Sequence, residues 1–242
     1  MKNMKKTEEH EFPDVMKVIS HGRNRTNILR NSEQNTIAFL VKRIPSWISS
    51  DMLTGIGFFG NFLVFLSFIL ATYFNPHFLA LGVIGFIVSW FGDSLDGRIA
   101  YYRNIPRKWY GFALDVTTDW VGIVLICFGF IIYVKGVWEI IGFAFVVLYG
   151  WEMITTMIRY KVSNQYSIDS GLLGPTEVRI VISGILVLEA FINGSILYSG
   201  SIACIILFIS NIVDTIKLLK RADIQDKIDL EKKKIKELCL IE

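Results

Sequence analysis

Two pairs of aspartates interrupt sequence that is otherwise largely apolar: Asp93 and Asp96 in WFGDSLDGRIA, and Asp115 and Asp119 in GFALDVTTDWVG. Spacings of three and four residues put each pair on one helical face. An aspartate inside a bilayer-spanning helix costs about 2.5–3.5 kcal/mol, so four facing lipid would cost on the order of 10 kcal/mol. They must therefore face an interior together. Four converging carboxylates repel one another unless positive charge is supplied, and Arg98, Arg103, Arg107 and Lys108 lie on the intervening stretch. Divalent metal is the more economical solution: hard oxygen ligands suit Mg²⁺ or Mn²⁺, and two cations about 3.5–4 Å apart clamp the oxygens of a phosphoryl displacement. The alternative is a buried ion-pair cluster that fixes helix packing. Gly92, Ser94, Gly97, Ala100 and Gly111 surround the four aspartates. Such small residues let a polyanionic ligand approach the backbone, and they serve helix packing equally well.

The elements that must position these carboxylates follow from composition. The chain has 242 residues, 52% hydrophobic and only 19% charged, against roughly 25% charged in an average soluble domain. This argues against a soluble globule and excludes a disordered chain. Three cysteines exclude a disulfide scaffold; Cys127, Cys204 and Cys239 are read as unpaired. Six apolar runs, at 52–74, 78–100, 112–134, 137–158, 178–198 and 201–217, are long enough or nearly so to span a bilayer. The first 36 residues are polar, with no apolar core of a cleavable signal.

Of the 25 Lys and Arg residues, nine lie in 1–50, four from Arg98 to Lys108, three from Arg159 to Arg179 and eight from Lys217 onward; only Lys135 falls in the other set of connections. Basic residues collect on cytoplasmic flanks, so this predicts an all-α, multi-pass integral membrane protein with six spans and both termini cytoplasmic. In a prokaryote that membrane would be the cell membrane. The outer connections are placed near Asn75–His77, Lys135–Gly136 and Ser199–Gly200, and the aspartates fall at the cytoplasmic side of the bundle. The net charge of +3 is thus a one-sided distribution rather than a nucleic-acid footprint, and no nucleic-acid partner is expected. Four segments result: 1–35, a cytoplasmic N-terminal segment; 36–50, an amphipathic interfacial helix with Ile37, Leu40, Val41, Ile44, Trp47 and Ile48 on one side; 51–218, the six-helix catalytic domain; and 219–242, a charged tail.

These residues resemble the CDP-alcohol phosphotransferases, whose pattern runs D-x2-D-G-x2-A-R, then G-x3-D-x3-D. Asp93, Asp96, Gly97, Ala100, Gly111, Asp115 and Asp119 fill it. Tyr101 stands at the arginine position and the spacer to Gly111 is one residue longer, with Arg103 or Arg98 as the replacement cation. SSDMLTGIG at 49–57 is similar to the family's opening of the first span, and GPTEVRI at 174–180 to the opening of the fifth. The resemblance covers about residues 36–217. It implies a phospholipid-synthesising transferase that moves a phosphatidyl or phospho-alcohol group from a CDP-activated donor to an alcohol, one of the two carrying the lipid chains, and releases CMP. It further implies two Mg²⁺ or Mn²⁺ ions on Asp93, Asp96 and Asp115, with Asp119 as general base and a further metal contact, and a homodimer among membrane lipids. Physical reasoning agrees on the base, because an alcohol hydroxyl is a poor nucleophile until its proton has an acceptor.

Asp51, Thr54, Gly97, Ala100 and Gly111 are then the nucleotide-pocket candidates. Arg98, Arg103, Arg159, Glu177 and Arg179 are candidates for acceptor or phosphate contacts, with Glu152 and Tyr160 beside them; each has the alternative of an ion pair at a helix end. Gly55, Gly57 and Gly60 spell G-x-G-x-x-G inside an apolar run and are read as helix packing, not as a dinucleotide loop. Glu189 and Asp214 are read as packing hydrogen bonds or dimer contacts. CDP-diacylglycerol is the favoured donor for so compact a chain. A CDP-choline or CDP-ethanolamine:diacylglycerol transferase is the alternative within the family, and a metal-ion carrier or inactive relative the alternative outside it.

Overall fold

The computed structural model describes residues 29–163 and 175–238. Every regular element among them is helical: α1 (Arg30–Val41), α2 (Ser50–Tyr73), α3 (Ala80–Tyr102), α4 (Lys108–Tyr133), α5 (Glu139–Ser163), α6 (Pro175–Phe191) and α7 (Ser195–Leu238), with 3₁₀ turns at Pro76–Leu79 and Gly136–Trp138. Local chemistry sets the starts. The Ser49 side chain caps α2 by accepting from the Met52 N–H at 3.1 Å, and Asn75 accepts from the His77 N–H at 2.9 Å ahead of Pro76. Pro175 opens α6, where its fixed φ suits the first helical position.

Five stretches are long and apolar enough to cross a membrane: Ser50–Tyr73, Pro76–Tyr102, Lys108–Tyr133, Gly136–Val162 and Ser195–Lys233. The run expected at 178–198 is instead the 17-residue α6, about 25 Å long, and the turn that ends it lies at 192–194. The outer connection expected at Ser199–Gly200 is therefore inside α7. The reason is local: Gly194 sits at φ 89°, and the Glu189 carboxylate gathers the N–H groups of Gly194 at 2.9 Å and Ile196 at 2.8 Å and the Ser195 hydroxyl at 3.0 Å. A buried carboxylate thus supplies the N-terminal cap of α7, and it also accepts from the Tyr133 hydroxyl at 2.8 Å.

The helix expected over 36–50 occupies Arg30–Val41, and residues 42–49 turn toward α2. Pro45 lacks an N–H and cannot continue the helix. Its apolar side is turned to protein, since Ile37, Ala38 and Val41 are buried with Leu53, Leu95 and Ile99 of α2 and α3. A second core, of Val64, Phe68, Leu79, Phe86, Leu186 and Ile196 among others, joins α2, α3, α6 and the start of α7. The outward faces stay apolar, as with Ile202, Ile205, Ile206 and Ile209 of α7, each more than half exposed. Cys127 and Cys204 are free thiols, as expected; Cys239 lies outside the described residues, as does most of the 1–35 segment.

α2 and α3 form the tightest pairing, and three glycines explain it. A Cβ on Gly60 would meet Ser89 and Gly85 backbone, one on Gly57 would lie 3.1 Å from the Asp93 N–H nitrogen, and one on Gly92 would strike Gly57 and Leu53 backbone. The packing reading of Gly57 and Gly60 therefore holds, whereas Gly55 faces open space. At Gly92, where the sequence left ligand approach and helix packing both open, the space beside the backbone is filled by α2.

Candidate active site

The close crossing of α2 and α3 brings Thr54 against Asp96: the Thr54 hydroxyl donates to Asp96 Oδ2 at 2.7 Å, and the Ser50 hydroxyl donates to the Asp96 carbonyl at 2.8 Å. The Gly97 N–H also faces Asp96 Oδ1. One turn earlier on α3 lies Asp93, and across from it α4 presents Asp115 and Asp119. Carboxylate oxygens of Asp93, Asp115 and Asp119 all lie within 4.8 Å of one another. Three of the four expected aspartates therefore converge directly, and Asp96 lines the same pocket, held by Thr54.

Among the described residues, a cation reaches the cluster from α6. Arg179 Nη2 pairs with Asp93 Oδ2 at 2.7 Å, the two side chains being 18% and 24% exposed, and it attracts Asp119 as well. Asp119 is at the same time repelled by Asp93 and Asp96. Three convergent carboxylates beside Arg179 form a dense set of hard oxygens, the donor chemistry of Mg²⁺ or Mn²⁺.

The other basic candidates are employed elsewhere. Arg98 is buried on the opposite side of α3, where it donates to the Ser94 carbonyl and faces Glu33 of α1 at 3.9 Å. Arg103, just past α3, donates to the carbonyls of Ile48, Pro45 (2.9 Å) and Ile44 (3.3 Å), so it fastens the turn between α1 and α2; burial pulls its guanidinium below the usual arginine value. Arg159 faces Asp214 at 3.7 Å. Glu177 accepts the Leu29 N–H at 2.9 Å, tying the start of α1 to α6. Asp51 pairs with Arg107, whose guanidinium also lies 4.2 Å over the Tyr110 ring; the hydrogen bond from Arg107 to Asp51 raises the Arg107 value. Gly97 and Ala100 continue the Asp93 and Asp96 face by helical spacing, and Gly111 precedes Asp115 by one turn with nothing within 4 Å of an added Cβ.

The pocket holds residues the motif does not contain. Asn61 and Phe58 of α2, Ser89 of α3 and Thr118 of α4 line it with the aspartates and Thr54. Asn61 is seven residues after Thr54, the same helical face two turns along, so a lone amide in an apolar run was its sequence signal. Gly122 makes its room, since a Cβ there would strike the Asn61 side chain.

A family model for CDP-alcohol phosphatidyltransferases matches residues 47–216, from the turn before α2 into α7. The chain belongs to this family. Membership implies transfer of a phosphatidyl group from a CDP-alcohol donor to an alcohol acceptor, by a membrane transferase of phospholipid synthesis of a kind that generally uses divalent metals. No curated protein matches the chain.

Proposed function

We propose that the protein transfers the phosphatidyl group of CDP-diacylglycerol, or a similar CDP-lipid, to a small alcohol and releases CMP. The observation that carries this reading is the meeting of Asp93, Asp115 and Asp119 within 4.8 Å in a pocket whose wall continues through Thr54 and Asp96. These carboxylates, with Asp96, would hold two Mg²⁺ or Mn²⁺ ions, which when bound neutralise charge on the donor diphosphate. The alcohol oxygen attacks the β-phosphorus, the bond from that phosphorus to the CMP oxygen breaks, and the hydroxyl proton passes to a carboxylate oxygen of Asp119. Arg179 stands beside Asp93, where its planar fork suits a phosphate oxygen. Thr54, Gly97, Ala100 and Gly111 shape the nucleotide side, with Asp51 and Arg107 at its rim.

The distribution of 24 of the 25 basic residues supports six spans with both termini cytoplasmic, α6 being the short one. The pocket then opens to the cytoplasmic side, where a soluble alcohol arrives.

The test is incubation of purified protein with Mg²⁺ and labelled CDP-diacylglycerol against a panel of alcohols, with products read by lipid mass. Asp119→Asn is expected to lower CMP release at least about 100-fold, the scale of a positioned general base. Unchanged turnover in that variant would remove Asp119 from its role. Absence of CMP release with every CDP donor, together with Mg²⁺ flux in liposomes, would replace the transferase with a cation carrier.

A further inference from the structure

A second polar cluster lies between α5 and α7, apart from the aspartate pocket. Asn211 is fully buried and Asp214 is 5% exposed. The Asn211 Nδ2 donates to the Leu148 carbonyl at 2.8 Å, which fixes the amide against α5. Leu148 and Glu152 are one turn apart on α5, as Asn211 and Asp214 are on α7, so the two polar pairs share one seam. Glu152 interacts with Asp214 across it and with Arg159 and the Thr156 hydroxyl of its own helix. Among the described residues, three buried oxygens in this seam have no hydrogen-bond partner: Glu152 Oε2, Asn211 Oδ1 and Asp214 Oδ2.

All three are acceptors, and leaving buried acceptors unmet is costly. Charge points the same way. Glu152 and Asp214 bring two negative charges against one from Arg159, which stands 3.7 Å from Asp214 Oδ2. Lys217 reaches the other Asp214 oxygen at 3.4 Å but is 64% exposed, so solvent screens it.

A proton on Glu152 would supply one O–H donor, which serves at most one further oxygen and leaves the third unmet. A water has two donors and no charge. A divalent ion would overcompensate the charge and retains its own waters. An alkali metal ion or a primary ammonium group, with three donors and no acceptor, meets three oxygens and one net negative charge together. We propose that Glu152, Asn211 and Asp214 form a site for such a compact monovalent cation, entered past Lys217.

The experiment follows thermal unfolding of the full chain in detergent, without nucleotide or alcohol, at constant ionic strength. N-methylglucamine chloride, whose cation is too bulky for the seam, is exchanged for sodium, potassium or methylammonium chloride. The melting temperature is expected to rise with at least one of these, each tenfold increase above the dissociation constant adding an equal step. A rise with the alkali ions alone assigns a metal ion, and a rise with methylammonium assigns an amine. Asp214→Asn and Glu152→Gln are each expected to abolish the dependence, and either variant suffices if the other does not fold. Identical melting in all four salts, or a rise that persists undiminished in these variants, overturns the proposal. Because no substrate is present, the outcome is independent of the transferase reading.

Discussion

Gly60→Ala tests whether the α2–α3 crossing sets the geometry of the aspartates. The new Cβ would stand 2.6 Å from the Gly85 carbonyl oxygen and 2.7 Å from Ser89 Cα, where carbon contacts prefer about 3.5–4.0 Å. Both neighbours are backbone and cannot rotate away, so the helices must part by about 1 Å, at the roughly 1–3 kcal/mol typical of overpacking. The Thr54 to Asp96 hydrogen bond, now 2.7 Å, would stretch to about 3.7 Å, beyond hydrogen-bond range. Asp93, one turn from Ser89 on α3, would shift relative to α2. A misplacement of about 1 Å costs on the order of 100-fold in rate, so CMP release should fall by that scale while the protein still inserts and unfolds cooperatively. Gly55→Ala is the control, because nothing lies within 4 Å of its Cβ and alanine favours the helix by up to about 1 kcal/mol. The reasoning fails if Gly60→Ala keeps turnover within about twofold of wild type, or if Gly55→Ala is equally damaging.

Other substitutions separate scaffold from chemistry. Glu189→Ala strands the Tyr133 and Ser195 hydroxyls and two N–H groups, and should destabilise by about 3 kcal/mol, while Tyr133→Phe removes one donor and should cost about 1 kcal/mol; thermal unfolding that ranks them the other way would contradict the capping role. Arg103→Met deprives three carbonyls of a charged donor and should speed amide exchange over residues 44–48 with little change in the donor KM. A large rise in KM instead would return Arg103 to the phosphate site.

Much of the scaffold was legible because its signals are local. Helix existence follows from apolar runs, and the pairing of Asp93 with Asp96 and of Asp115 with Asp119 follows from helical spacing. The ends were less legible. The apolar run continues through the α6–α7 turn, so hydropathy alone places that turn several residues late, although Asn193-Gly194 is a turn signal in its own right. The apolar stripe of the first helix continues beyond Val41 into residues that turn, so periodicity alone sets that helix too far along.

The site divides along the same line. Residue type and spacing determined that carboxylates must gather at one end of a membrane bundle, since hydropathy and helical period are properties of short stretches of chain. Tertiary structure decided which cation meets them. Arg98, Arg103 and Arg179 are equivalent by composition, but only Arg179, 86 residues from Asp93, is carried to the cluster, while the other two are consumed in fastening α1 and its turn. The same holds for the glycines: Gly55, Gly57 and Gly60 are alike in sequence, and what distinguishes them is the backbone of α3 that packs against two of the three. Such contacts join elements far apart in the chain, so they depend on how helix faces interlock, which no local pattern encodes.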